Sequence, residues 1–198
     1  MSYPPNSDII DRLVVIEPGS GLDRIRAGRK QARENIQKSY LALFQPRDYG
    51  QFPLFERRAV AAFIAGLHRE PASAAFYVSE ISSEPELADV IAREAGRGAV
   101  QGPYGRYPEG PLSTEDRPGL AYRVADEHRK LLGERLAAGL EHAHLLVFHP
   151  RDASQEALRA LQKAGWSTTD IVTLSQLIAY LAFQIRVAAG LRELAASL

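Results

Sequence analysis

The chain has 198 residues, 45% apolar and 24% charged, with equal numbers of acidic and basic side chains. This is the balance of an ordinary globular domain with chain enough for a sizeable core, and it excludes disorder. Zero net charge argues against nucleic acid or an anionic membrane as the main partner, and the absence of cysteine excludes disulfides, thiolate metal sites and a cysteine nucleophile.

The opening MSYPPNSD has neither a basic region nor an apolar run of the kind that leads a secreted protein. A cytoplasmic protein is the expectation. Ser7-Asp8 can cap a first helix, IIDRLVVIE, ended by Pro18 and Gly19. Ser20 starts a longer predicted helix that reaches Phe44, carrying the basic residues Arg24, Arg26, Arg29, Lys30 and Arg33, which read as a solvated face. QPRDYGQFP is a loop. Residues 1–52 thus form an N-terminal helical arm, and 53–198 form the core.

The core opens with a helix from Leu54 in which Val60, Phe63, Ile64 and Leu67 make one apolar stripe. His68-Arg69-Glu70-Pro71 breaks it, and Pro71 suits the first position of a second helix that points Phe76 and Ile81 inward. A third helix runs from Glu84 to Arg97, with Leu87, Val90 and Ile91 inward. Residues 98–119 are rich in Gly and Pro and show no period, as expected of a functional or disordered loop. GRGAVQG follows no strand and lacks phosphate-loop spacing.

Helical pattern resumes at Tyr122 and runs to Phe148 with a break near Gly133, and a short helix from Gln155 to Lys163 follows. Ser167-Thr168-Thr169-Asp170 resembles a capping box at the start of the last helix. Ile171, Leu174, Ile178, Leu181 and Ile185 line one apolar face of that helix, and Tyr180, Phe183, Val187 and Leu191 line another. Two apolar faces predict the most buried helix of a bundle, while Thr173, Gln176, Gln184 and Arg186 speak against a membrane span. No period-two alternation occurs. The predicted fold is all-α.

Two stretches carry a resemblance. GWSTTDI followed by IAYLAFQIR resembles the closing segment of the alkylhydroperoxidase D / carboxymuconolactone decarboxylase superfamily, with Ala182 where its members tend to have Asn. The helix order from Leu54 to Ser82 fits that superfamily's catalytic core, and the N-terminal arm is similar to that of its peroxidase-related branch. The resemblance implies an alkylhydroperoxidase D-like helical bundle that assembles as a homo-oligomer, a dimer or a trimer of dimers. It implies no cofactor.

Thiol members of that superfamily use a Glu, a Cys-x-x-Cys pair twelve residues on, and a His four residues after the second Cys. Residues at i and i+3 of a helix start share a face, so one thiolate attacks peroxide and the other resolves the intermediate. Aligned on the helix break, those positions are Arg58 for the Glu, Glu70 and Ser73 for the cysteines, and Tyr77 for the His. A register slipped by two restores Glu56 as the acid but puts His68 and Pro71 at the cysteines and Ala75 at the His. Neither register supports thiol peroxidase chemistry.

Arg58 and Glu70 therefore read as an exchanged charge pair. With Ser73 and Tyr77 they form either a polar pocket for a small carboxylated ligand or a structural salt bridge. Ser73 has no visible base to make it a nucleophile. His68 is the best proton carrier of the five histidines, although a histidine at a break also serves as a plain hydrogen-bonding group. His142 and His149 are seven apart on one face, with His144 pointing away, so their spacing does not favour a metal. Two functions follow as expectations. The first is a cysteine-free, oligomeric binding or regulatory protein that could pair with a thiol-containing relative. The second is an acid–base enzyme of the decarboxylase type, in which Arg58 holds a carboxylate and Tyr77, Glu70 or His68 moves the proton.

Overall fold

The computed structural model describes residues 7–198, so most of the opening read for a leader lies outside it. Nine α-helices and no strand occur among the described residues. They are α1 Ile9–Val14, α2 Gly21–Ala27, α3 Lys30–Phe44, α4 Leu54–Leu67, α5 Pro71–Ser79, α6 Pro85–Gly98, α7 Asp126–Phe148, α8 Gln155–Lys163 and α9 Thr168–Ala196. The fold is all-α.

The capping signals act where the residue chemistry places them. The Asp8 carboxylate accepts the N–H groups of Ile10 and Asp11 at the start of α1. Ser167 Oγ accepts the Asp170 N–H at 3.1 Å and donates to the Asp170 carboxylate at 2.6 Å, which opens α9. Gly133, at φ +79° and ψ 157°, interrupts α7 at the expected break. Boundaries in the arm differ from the reading. α1 ends at Val15, in left-handed backbone, before Pro18 is reached. The predicted Ser20–Phe44 helix is two helices, broken at Gly28-Arg29.

The arm is packed into the body. Ile9, Ile10, Ile36, Tyr40, Leu43 and Phe44 belong to the same apolar cluster as α4 and α9. Its basic residues are not all solvated either. Arg26 is buried and pairs with Asp8 and Asp11, while Arg33 reaches Asp8, Asp11 and Asp23. These pairs join α1 and α2, which lack the length to be stable in isolation, to α3.

The central helix is α4 rather than α9. Its apolar stripe is buried as expected, but Ala59, Ala61, Ala62 and Ala65 are buried as well, so α4 is enclosed all round by α5, α6, α7 and α9. Small side chains let the neighbours come close: a Cβ on Gly66 would lie 2.6 Å from the Ala95 Cβ of α6. In α9 the first apolar face is buried, yet Phe183 on the second is 48% exposed and Val172 is also open. Burial of both faces is not achieved within one chain. Among the described residues α9 is the one helix long and apolar enough to cross a membrane, and half of its most apolar stretch is buried in this fold.

Between α6 and α7 the chain from Ala99 to Ala125 is irregular apart from one 3-10 turn, Pro111–Glu115. It is held by an antiparallel bridge between Gly105 and Arg117 and by the Tyr104 N–H on the Phe148 carbonyl. This loop and α8 flank the C-terminal half of α7.

Candidate functional site at the helix break

The break between α4 and α5 is built by backbone hydrogen bonds. The Arg69 N–H returns to Gly66 O at 2.9 Å and the Glu70 N–H to Ala65 O at 3.3 Å, with Arg69 in left-handed backbone at φ +54°. This is the two-bond closure that usually falls on glycine. Pro71 then occupies the first position of α5, and the Glu70 carboxylate accepts the Ser73 N–H at 2.7 Å.

Glu70 does not meet Arg58. Its other oxygen accepts Arg192 Nη1 of α9 at 2.5 Å, and Arg192 also donates to Leu13 O at 2.7 Å. Arg58 pairs instead with Glu80 at 2.8 Å and stays about one-third exposed. Antiparallel packing explains the difference. Arg58 lies some three turns before the break, so it faces a residue equally far beyond it, at the end of α5, and not the residue at the turn.

Ser73 and Tyr77 are sealed in the core. Ser73 Oγ has no hydrogen-bond partner, and no base is within its reach. Tyr77 donates to Gln184 Oε1 at 2.5 Å, the Gln184 amide donates to Tyr180 OH at 2.9 Å, and Tyr180 OH donates to Ile36 O at 3.3 Å. Burial, reinforced by nearby Tyr180 and Tyr40, holds the Tyr77 phenol well above its ordinary pKa of 10, so it stays protonated. Phe44 and Phe76 pack on its ring. None of Glu70, Ser73, Tyr77 and Arg58 lines any of the three main cavities.

His68 has different surroundings. It caps the end of α4 and lines a cavity of about 790 Å³ between α4, α7, α9 and the start of the long loop. Its Nε2 is buried without a hydrogen-bond partner. Arg69, Arg186 and Ser175 share the cavity wall, and Leu146, Phe148, Ile178 and Ala182 supply apolar surface. Burial first, and then the Arg186 charge, lower the His68 pKa, which leaves a neutral imidazole at pH 7. Arg186 is exposed and bonds its own helix at Ala182 O, 2.7 Å away.

The chain matches no protein-family model and no curated protein.

Three polar side chains, Arg57, Arg135 and Glu94, were missed in the sequence. Arg57, next to Arg58, is buried and donates to the carbonyls of Phe52, Leu43 and Tyr49 at 2.7, 2.6 and 3.1 Å, which fixes the loop before α4. Glu56 pairs with Arg135, whose guanidinium lies 4.2 Å from the Trp166 ring centroid. Glu94 of α6 is fully buried and accepts from Tyr122 OH, Arg97 and the Ala125 N–H, with His128 Nδ1 beside it. Burial alone would raise the Glu94 pKa; those donors outweigh it and lower the value. The only sequence signal for Arg57 was its place in phase with the apolar stripe, three residues before Val60.

The histidines of α7 also depart from expectation. His142, His144 and His149 all line a second cavity, of about 780 Å³, under the long loop. The expected divergence of His144 fails because the ring lies across the helix against Tyr122, centroids 4.7 Å apart, with Nε2 on Gly98 O at 3.1 Å. No group of three His, Asp or Glu with metal-binding geometry occurs among the described residues.

Proposed function

We propose that this chain is a cysteine-free member of the alkylhydroperoxidase D / carboxymuconolactone decarboxylase superfamily that binds a small carboxylated molecule and performs no thiol chemistry. One observation carries the ligand part of this reading: the buried, unpartnered His68 Nε2 opens on a ligand-sized cavity whose wall includes Arg69 and Arg186. Volumes of this order suit small organic ligands. Two guanidinium groups favour a carboxylate, and a neutral imidazole offers it or its substituents one hydrogen bond. Ala182, at the position where the resembling families tend to have Asn, lines the same cavity, which supports a changed ligand.

His68 and Arg186 also favour the second reading, an acid–base decarboxylase. Arg186 would hold one carboxylate while His68 takes a carboxyl proton and returns it to the carbon from which carbon dioxide leaves. A homo-oligomer is part of the proposal, since the second apolar face of α9, with Phe183 and Val172 open, suits a second copy better than water. A thiol-containing relative is the other protein partner proposed; nucleic acid and membrane are not.

The test is calorimetric titration with succinate and with a small lactone carboxylic acid. Wild-type protein is expected to bind, and Arg186→Gln to weaken binding about tenfold or more. His68→Gln is expected to abolish any release of carbon dioxide while retaining most of the affinity. Failure of both acids to bind at millimolar concentration would remove the ligand reading, and monomers by light scattering would remove the oligomer.

A further inference from the structure

What sets the second cavity apart is one side chain. His142 is only 6% exposed, lines this cavity of about 780 Å³, and leaves Nε2 buried with no hydrogen-bond partner. A buried imidazole nitrogen without a partner is costly unless something else meets it. The other two histidines there are engaged. His144 is on Gly98 O, and His149 bonds Asp152 at 2.9 Å through Nδ1 and Leu120 O at 3.0 Å through Nε2.

The walls are largely apolar. Ala138 and Leu145 come from α7, Ala157, Ala160 and Leu161 from α8, and Leu120 from the loop. The charged groups on the lining are not balanced in what they already do. Glu141 is taken up by Arg123, Arg129 and the Val124 N–H. Asp116 accepts the Tyr107 N–H at 2.7 Å, and Asp152 accepts from His149 and the Arg106 N–H. The exposed side chains of Arg106 and Arg117 make no ion pair or hydrogen bond among the described residues. Two lining cations, Arg106 and Arg117, are thus unspent among the described residues, against one lining carboxylate, Asp116, that has a backbone N–H but no cation.

We infer that the cavity between α7, α8 and the 99–125 loop is a binding site for an amphipathic organic acid, its apolar body between the helices, a polar atom on His142 Nε2 and its carboxylate at Arg106 and Arg117. The site is separate from the one at His68. The loop serves as its outer wall, and the close packing of Gly119 under the Tyr104 ring, where any Cβ would overlap ring atoms, holds that wall in shape.

Octanoate is the probe, with 1-octanol and inorganic phosphate as controls, measured by titration calorimetry on the whole chain. Octanoate is expected to bind at least tenfold more tightly than octanol, and phosphate not to bind measurably. Arg106→Gln/Arg117→Gln, two exposed positions that leave the core untouched, is expected to lose about tenfold for octanoate and nothing for octanol. Octanoate should also shift the His142 ring nitrogens in a long-range nitrogen–proton spectrum, and His142→Phe should weaken both octanoate and octanol. Equal affinity of octanoate for wild type and the double arginine variant, or saturation with His142 resonances unmoved, would overturn the assignment. Absence of octanoate binding at 1 mM, about −4 kcal/mol, would do the same.

Discussion

Tyr77 and Gln184, 107 residues apart in the chain, share a 2.5 Å hydrogen bond in the fully buried centre of the molecule. The bond joins α5 to α9, and the Gln184 amide carries it on to Tyr180 and so to α3. The position expected to move a proton is thereby a structural one. Tyr77→Phe leaves the Gln184 oxygen unsatisfied and is expected to cost about 1–3 kcal/mol in urea unfolding. Tyr77→Phe/Gln184→Leu should cost less than the sum of the single changes, because the orphaned group is removed with its partner.

Adjacent arginines should behave oppositely. Arg57→Met strands three backbone carbonyls around a buried site and is expected to destabilise by roughly 3 kcal/mol or more. Arg58→Met loses a partly exposed pair with Glu80 and should cost under about 1 kcal/mol. Chemical denaturation of the two variants side by side checks the order.

Gly66→Ala improves helix propensity by about 1 kcal/mol, yet it is expected to lower the melting temperature. The added methyl would meet the Ala95 Cβ at 2.6 Å, and neither helix has a flexible side chain there to yield. Gly66→Ala/Ala95→Gly should recover part of the loss.

Acid should weaken the fold through His144. Burial lowers its pKa from the ordinary 6.5 to about 4, against the opposing bond to Gly98 O, with the His149 charge adding to the lowering. Between those values the unfolded chain binds more protons than the folded one, so stability is expected to fall as pH drops from about 6.5 towards 4. Tyr122, Phe148 and His149 face the ring, and none offers it a carboxylate. His144→Gln, which keeps a donor for Gly98 O, should flatten the pH dependence of the melting temperature over that window.

No dithiol-driven consumption of an organic hydroperoxide is expected, because the chain contains no cysteine. Turnover well above a heat-inactivated control, in a coupled peroxide assay, would contradict this.

Helix identity was legible in the sequence wherever capping chemistry or apolar period was strong: Asp8, Ser167, Gly133 and the Val60-to-Leu67 stripe all act as read. What periodicity could not convey was enclosure. A helix lined with alanine on its remaining faces reads as amphipathic, yet α4 is surrounded, because alanine is small enough to be buried without announcing it. Conversely α9 is apolar on two faces, and the second is covered only in part: Tyr180 is buried while Phe183 is open. Pairing was the least legible feature. Arg58 and Glu70 looked complementary in sequence, but the hairpin geometry gave Arg58 to Glu80 and Glu70 to Arg192. The cavity at His68 required α7 and α9 to converge on the break, which no local pattern encodes.

The link from Arg192 to Glu70 and Leu13 has a kinetic side. It spans 179 residues between α9 and α1, so the loop it closes is nearly the length of the described chain. Contacts of such separation carry their closure entropy before they return any enthalpy, and they form late. During synthesis α1, six residues long, emerges before α9 and stays without this anchor until α9 has left the ribosome. For that interval Ile9 and Ile10, fully buried in the folded chain, have no α9 to lie against.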